Sequence, residues 1–525
     1  MFLFSLIAFF AVLLASFVLN FVHYMHMFQL NSYSAEEHFH WIKKNIGNIV
    51  LRHVFPFAAA AYALIIVLTS GTVTAGDILI CAGIICIGMI FCKRKPAKKK
   101  LVFTPRVIRM CVTSTLIYGA VCALSMIFLY MQGFFLPVLC LWQVFSAFMP
   151  MIANFINKPV EKGVNNHYIN DAKRIINELP NLTVVGITGS YGKTSTKFYL
   201  QKLLSAKYNV LMTPESYNTT MGVVKTVRGS LNATYDIFIC EMGAKGVGEI
   251  KEICDIVHPK HSVITSIGPQ HLETFKSLDN IIKTKFEIAD CITDGTVFLN
   301  MDNQYIRQHK IDKNVVGYGL QAGDGKDYFA DNITVSVKGT SFTVHAPDGS
   351  TKDFSTKLIG EHNVQNIVGA IAVANTLGVS LDELVLPVRR LECVPHRMEI
   401  IDRGNTVIID DAFNSNPSGA KAALDALSLM DGLRVLVTPG MVELGEQEYE
   451  LNKQLGKQAA TCDFVVLVGQ RQAIPLKEGL LEAGYSEEKI YVADSLKDGL
   501  AKVDTLQTGG KKKIVLLEND LPDNY

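Results

Sequence analysis

Four long apolar runs crowd into the first 155 residues, and they restrict what this chain can fold into more than any other feature. They cover residues 2–22, 54–73, 110–130 and 134–152. Each is close to the roughly 20 residues that a helix needs to cross a hydrocarbon core. A fifth run, 78–92, is short enough to be re-entrant, and charge decides for a span. The basic stretch "KRKPAKKK" at 93–100 belongs on the cytoplasmic side. If 78–92 crosses, that stretch, the connector 23–53 and the chain after the last run all share one side. The expectation is a multi-pass transmembrane domain of about five helices over 1–155, with the N-terminus outside.

The first run lacks a basic leader and a small-x-small cleavage site and is too long for a signal core, which argues against a removable signal. Beside two spans, the basic stretch fits a topology anchor touching anionic lipid headgroups better than a nucleic-acid patch. The connector "HMFQLNSYSAEEHFHWIKKN" has apolar and aromatic residues near helical spacing and reads as an interfacial helix. His23, His26, His38 and His40 lie close together in sequence, but nothing in their spacing defines a metal geometry.

The remainder of the 525 residues reads as an ordinary charged globular chain, and the total length suggests about three domains. A net charge of +1 gives no reason to expect nucleic acid. None of the 11 cysteines falls in a CxxC pair, so zinc-ribbon and redox motifs are not indicated. From Tyr168 onward apolar runs alternate with helical stretches, the pattern of a parallel α/β sheet.

Within that pattern, "TVVGIT" (183–188) reads as a buried strand and "KTSTKFYLQKLLSAK" as a helix, with a glycine turn between them. Such a turn points backbone amides and a helix N-terminus at an anion, the context a phosphate loop needs. The usual pattern places glycine five residues before Gly192, where this chain has Ile187. Gly189 and Gly192 bracket the turn instead. ATP binding is expected, with Lys193 neutralising phosphate charge and the Thr194 hydroxyl ligating Mg²⁺.

"GITGSYGKTSTK" resembles the ATP loop of the Mur ligase family, which also includes folylpolyglutamate synthase. Further motifs follow in the family's order, from about residue 170 to near the C-terminus. They are "SYNTTMG", "DIFICEMGAKGVGEI", "TSIGPQHLETF" with "IIKTKFEIA", "FLNMDN", "IGEHNVQNIVGAIAVA", "VPHRMEI" and "IIDDAFNSNPSGAKAAL". The last of these, with "TPGMVELGEQEYELNKQLG", looks most like the branch that adds D-alanyl-D-alanine.

The resemblance implies a multi-domain protein. A helical transmembrane domain (1–155) precedes two α/β domains, a central ATPase-type sheet (156–391) and a Rossmann-like domain (392–525). It implies that Gly189, Ser190, Gly192, Lys193, Thr194 and Ser195 face the nucleotide, with Asn300, His362, Asn363, Asn366, Arg397, Asp411, Asn414 and Asn416. Thr194, Thr219, Glu241, His271 and Lys285 are implied at the metal sites, Lys285 as a lysine that many members carbamylate. Lys193, His271, Lys285 and Arg397 are the implied catalytic set. Read alone, Glu241 is a strand-end glutamate equally consistent with function and with surface, and Lys285 is one lysine on a helix.

The implied activity is ATP-dependent amide formation. The γ-phosphoryl group passes to a carboxylate, and the acyl phosphate accepts an amine; the work is positioning and electrostatic stabilisation. Implied partners are an amino acid or dipeptide amine and a cell-wall precursor, either UDP-linked or lipid-linked. Membrane lipid joins them, with catalysis at the cytoplasmic face of a bacterial membrane. Two features depart from the branch: the apolar runs stand where its UDP-substrate domain would be, and Glu518, Asn519 and Asp520 replace its usual Lys-Gly-Ser-Arg run. A polyglutamate-type ligase of the same superfamily shares the chemistry. An ATP-driven transporter is disfavoured, because no LSGGQ-like signature is present and the apolar runs carry no internal charges.

Overall fold

The computed structural model describes residues 1–92, 99–413 and 415–520, without the side chains of Phe91 and Glu273. Most of the basic stretch at 93–100, and Asn414, lie outside the described residues. The chain divides into two compact units, Met1–Asn166 and His167–Asp520.

The first unit is helical. Phe2–Leu30, Ile46–Ser70 and Pro105–Leu129 are long and apolar enough to cross a membrane. Many of their large side chains face outward: Phe4 is 71 % exposed, Leu116 68 % and Ile127 70 %. Helices that are apolar on their outer face too are suited to lipid rather than water. Ala75–Phe91, capped by reciprocal hydrogen bonds between Thr74 and Asp77, is a shorter apolar helix of 17 residues. The expected run 134–152 is not one straight helix. Phe135–Ala147 and Met149–Asn177 meet at 71°, the first ending in the 3₁₀ turn Gln143–Ala147. Pro150 lacks the N–H that would continue the preceding ladder and suits the first turn of a new helix. Against five expected spans, the described residues give three, or four if the bent pair counts as one.

The connector forms the helix Ala35–Lys44, whose Ser34 hydroxyl accepts from the Glu37 N–H at 3.2 Å. Its histidines find separate partners. His38 stacks on Trp41 with ring centres 5.6 Å apart, and His26 Nε2 meets the Lys99 carbonyl at 2.7 Å. Among the described residues no group of metal-ligand atoms gathers there. Trp41 and Trp142, the only tryptophans of the chain, both belong to this unit.

The second unit is built on two sheets. The first holds β1 (Thr183–Thr188), β2 (Val210–Met212), β3 (Ile237–Glu241), β4 (His261–Ile264), β5 (Val297–Asn300) and β6 (Val315–Leu320). It continues with β7 (Tyr328–Ser336), β8 (Gly339–His345) and β9 (Thr351–Thr356), in the order β2-β3-β1-β4-β5-β6-β7-β8-β9. Neighbours from β2 to β7 run parallel. The pairs β7/β8 and β8/β9 are antiparallel, an extension that a purely parallel reading does not contain. In β1 every residue but Thr183 is buried, as expected of a strand covered on both faces.

The second sheet holds β10 (Glu399–Asp402), β11 (Thr406–Asp411), β12 (Leu433–Thr438), β13 (Phe464–Val468), β14 (Ile490–Ala493) and β15 (Lys513–Glu518). Its order is β10-β11-β15-β12-β13-β14. Only β10, at the edge, is antiparallel to its neighbour. Two helix-covered α/β sheets after a helical segment agree with the expected fold class.

Candidate active site

Parallel α/β sheets offer ligands the carboxyl ends of their strands, and Lys193, Thr194, Glu241 and Arg397 meet there. The loop 189–192 leaves β1 with Gly189 at φ +150° and enters the helix Lys193–Leu204 with Gly192 at φ +81°. Gly189 is required twice over. Its φ is left-handed, and a Cβ would stand 2.2 Å from Thr265 Oγ1 and 2.9 Å from the Ser266 nitrogen. The strand-β4 loop holds the turn: Ser190 N–H donates to the Ser266 carbonyl at 2.7 Å and Tyr191 N–H to Ser266 Oγ at 2.8 Å. A Cβ on Gly192 would meet Asn366 Oδ1 at 2.6 Å, so glycine there lets the helix Glu361–Thr376 approach the loop.

Lys193 folds back onto its own loop, donating to the carbonyls of Gly189 (2.6 Å) and Ser190 (3.2 Å). Burial pushes its ammonium down to about 8, with Glu241 opposing and Arg397 adding to the effect. Thr194 Oγ1 donates to Glu241 Oε1 at 3.1 Å and accepts from Arg397 Nη2 at 3.3 Å. Arg397, just before the second sheet, thereby reaches the loop of the first, and its guanidinium also covers the Phe413 ring at 4.4 Å.

Glu241 ends β3 almost fully buried. Oε1 also accepts from Asn218 Nδ2 at 3.0 Å. Oε2 pairs with the Lys197 ammonium at 2.9 Å. Burial pushes this carboxyl up, but Lys197 and Lys193 outweigh it and hold the group below the usual range. A buried carboxylate beside a hydroxyl is a hard-oxygen donor set of the kind that fits Mg²⁺.

His271, at φ +53°, pairs through Nδ1 with Glu443, whose other oxygen lies 3.6 Å from Lys245 Nζ. Burial pushes its imidazole down, with Glu443 opposing. Lys285 is buried on the helix Leu278–Asp290. Burial, reinforced by Lys193, pushes its ammonium down to about 7.

Other expected residues are engaged in the architecture. Asn363 accepts from Tyr199 OH at 2.8 Å, and Asn366 from Thr196 Oγ1 at 3.4 Å. His362 opens the same helix, its imidazole pushed down to about 4 by burial. Asn300 is spent on backbone, donating to the Thr265 carbonyl (2.7 Å) and accepting from the Asp302 N–H (3.1 Å). Thr219 and Asn416 cap the helices Thr220–Ser230 and Pro417–Ser428. Ser195 lies in the first turn of the loop helix.

Asp411 accepts from the Met398 N–H at 3.1 Å and sits opposite Glu518 in the β11/β15 register. Burial raises both carboxyls, Asp411 to about 6 and Glu518 well above its ordinary value, each also shifted by the other. Motif reading singles out neither Lys197 nor Asn218, which support Glu241, nor a partner for His271. Lys197 follows Lys193 by four residues on a helix, a spacing that places both on one face. Glu443 carries no local signal, because its meeting with His271 is a long-range contact. His396, Glu399 and Asp410 offer ligand atoms within 4.8 Å of one another. His396 Nδ1 there pairs with Asp410 at 2.8 Å.

The chain matches the Mur ligase middle domain over residues 187–374 and the Mur ligase glutamate ligase domain over 396–517. It is 34 % identical over 307 residues to the UDP-N-acetylmuramoyl-tripeptide–D-alanyl-D-alanine ligase of Escherichia coli strain K12, covering 57 % of this chain and 67 % of that one. The enzyme of that name from Bacillus subtilis strain 168 is 29 % identical over 346 residues, covering 64 % and 74 %. Among solved structures, MurF from Acinetobacter baumannii superposes with a TM-score of 0.62 at 28 % identity, covering 68 % of this chain and 77 % of that one. MurF from Thermotoga maritima in complex with ADP superposes at 0.60 and 25 % identity, covering 68 % and 80 %. With both domains matched over more than half of its length, the chain belongs to the Mur ligase family.

Proposed function

We propose that this protein is an ATP-dependent ligase that joins a carboxylate to an amine through an acyl phosphate, adding D-alanyl-D-alanine or a similar amine to a peptidoglycan precursor at the cytoplasmic membrane face. The observation that carries this reading is the convergence of Lys193, Thr194, Glu241 and Arg397 at the loop after β1. The names of its relatives supply the amine and the acceptor class. Division into domains at 1–155, 156–391 and 392–525 belongs to the same reading, as does a membrane-spanning first domain with its N-terminus outside.

The loop amides and Lys193 bind the phosphates, and Arg397 adds positive charge where the transferred group leaves ATP. Mg²⁺, held by Glu241 and Thr194, would supply further charge neutralisation at the phosphates. His271, its Nδ1 tied to Glu443, would offer its other ring nitrogen to a second metal. Lys285 as its carbamate would place an anion there. His362, Asn363 and Asn366 would line the adenine side, and Asp411 would face the nucleotide from the second sheet.

The test supplies ATP and labelled D-alanyl-D-alanine to the detergent-solubilised protein, with either UDP-linked muramyl peptide or a lipid-linked precursor. Amide product with either acceptor, and its loss by at least 100-fold in Lys193→Ala, is the expected result. Incorporation of another amine but not D-alanyl-D-alanine would remove the branch assignment. The acceptor that works then decides between a lipid-linked substrate and a domain that only localises the enzyme.

A further inference from the structure

Glu241 is the carboxylate offered to Mg²⁺, yet a cation already stands beside it. Lys197 Nζ lies 2.9 Å from Glu241 Oε2, both side chains being no more than 1 % exposed. The ammonium is anchored from a third segment, because it also donates to the Glu215 carbonyl at 2.5 Å. Glu215 occupies a left-handed conformation at φ +42°, just ahead of Asn218, which holds Glu241 from the other side. Lys197 therefore belongs to a fixed arrangement of the loop helix, the β3 end and the loop after β2.

We propose that Lys197 acts as a resident counter-cation that keeps a divalent metal from binding at Glu241 until nucleotide phosphate arrives. This rests on the ligase reading above. Without nucleotide, the three cations Lys193, Lys197 and Arg397 surround Glu241, with Asp411 the further carboxylate beside Arg397, and a metal entering there meets net positive charge. In a buried site such repulsion is weakly screened. Phosphate oxygens reverse the local balance, so metal and nucleotide enter together. Lys197 acts through Glu241 and is a positioning residue, not a catalytic one.

The test titrates Mn²⁺ into the full-length protein in detergent, without and with ADP, and follows bound metal by electron paramagnetic resonance. In the wild type, binding without ADP is expected to be weak and to strengthen with it. Lys197→Met should tighten nucleotide-free Mn²⁺ binding at least tenfold, and Lys197→Met/Glu241→Gln should lose that gain, which separates this site from background carboxylates. Lys197→Gln, which keeps a donor for the Glu215 carbonyl, should show the same gain if the methionine variant folds poorly. Either variant being stabilised against heat by Mn²⁺ alone, where the wild type is not, is the same result read through folding. Nucleotide-free Mn²⁺ affinity within twofold of wild type in the folded variant, or no metal rescue of an unfolded one, overturns the proposal; a purely structural lysine would give those outcomes. A wild type that binds no ADP even with Mn²⁺ would instead overturn the ligase reading.

Discussion

Replacing Gly189 by alanine separates what the phosphate loop demands of its backbone from what it demands of its space. The residue sits at φ +150°, and an added Cβ would lie 2.2 Å from Thr265 Oγ1, 2.9 Å from the Ser266 nitrogen and 3.0 Å from its carbonyl oxygen. Thr265 cannot swing aside freely, since its hydroxyl bonds the carbonyls of Thr188 and Tyr191. Backbone strain of this kind costs about 1–3 kcal/mol. Overpacking against a fixed wall adds about 1–3 kcal/mol, so the expected loss is roughly 2–6 kcal/mol. Gly349, between β8 and β9, isolates the first contribution: its φ is +82° and a Cβ there meets nothing within 4 Å. Gly349→Ala should therefore cost only about 1–2 kcal/mol. Urea unfolding of both variants in detergent, with ADP binding alongside, compares them. Gly189→Ala should unfold earlier than Gly349→Ala and lose ADP affinity, while Gly349→Ala keeps it. Equal midpoints with unchanged ADP affinity would refute the geometry described for the loop.

Lys285 should make stability depend on pH. Its folded value of about 7 lies below the ordinary 10.5, so between those values the unfolded chain holds a proton that the folded chain lacks. Stability should rise with pH across that window, and Lys285→Met should flatten the rise. Labelled bicarbonate should give a ¹³C carbamate resonance in the wild type that Lys285→Met lacks. The Asp411–Glu518 pair works in the opposite direction. Its raised carboxyls keep a proton in the folded state, so stability should fall as pH climbs above about 4.5, and Glu518→Gln should reduce that fall in thermal melts. Asn416→Ala removes the helix cap made to Gly419 at 2.8 Å and should cost about 1 kcal/mol in urea unfolding.

The phosphate loop is legible in the sequence because all of its parts are consecutive: a β-branched strand, two glycines and a helix start. Glu241 is legible only as a strand-end glutamate, and its importance comes from Thr194, Asn218 and Lys197, which the chain supplies from separate segments. Asn300 and Asn416 match family motifs, yet their side chains are taken up by backbone groups, which no motif displays. The strands β7–β9 are invisible to a reading tuned to parallel α/β repeats, because antiparallel pairing is a property of partners rather than of one strand. The corner at Phe148 is masked similarly, since apolarity persists through a bend as easily as along a straight helix.

The placement of the two tryptophans has a spectroscopic consequence. With Trp41 and Trp142 both in Met1–Asn166, excitation at the red edge of the aromatic band addresses that unit alone. His167–Asp520 contributes only tyrosine and phenylalanine emission. One cuvette can thus report the melting of the two units in separate channels. A tryptophan introduced beside the nucleotide loop would be the first such fluorophore in its unit, so its response to ADP would stand against a background set wholly by the helical one.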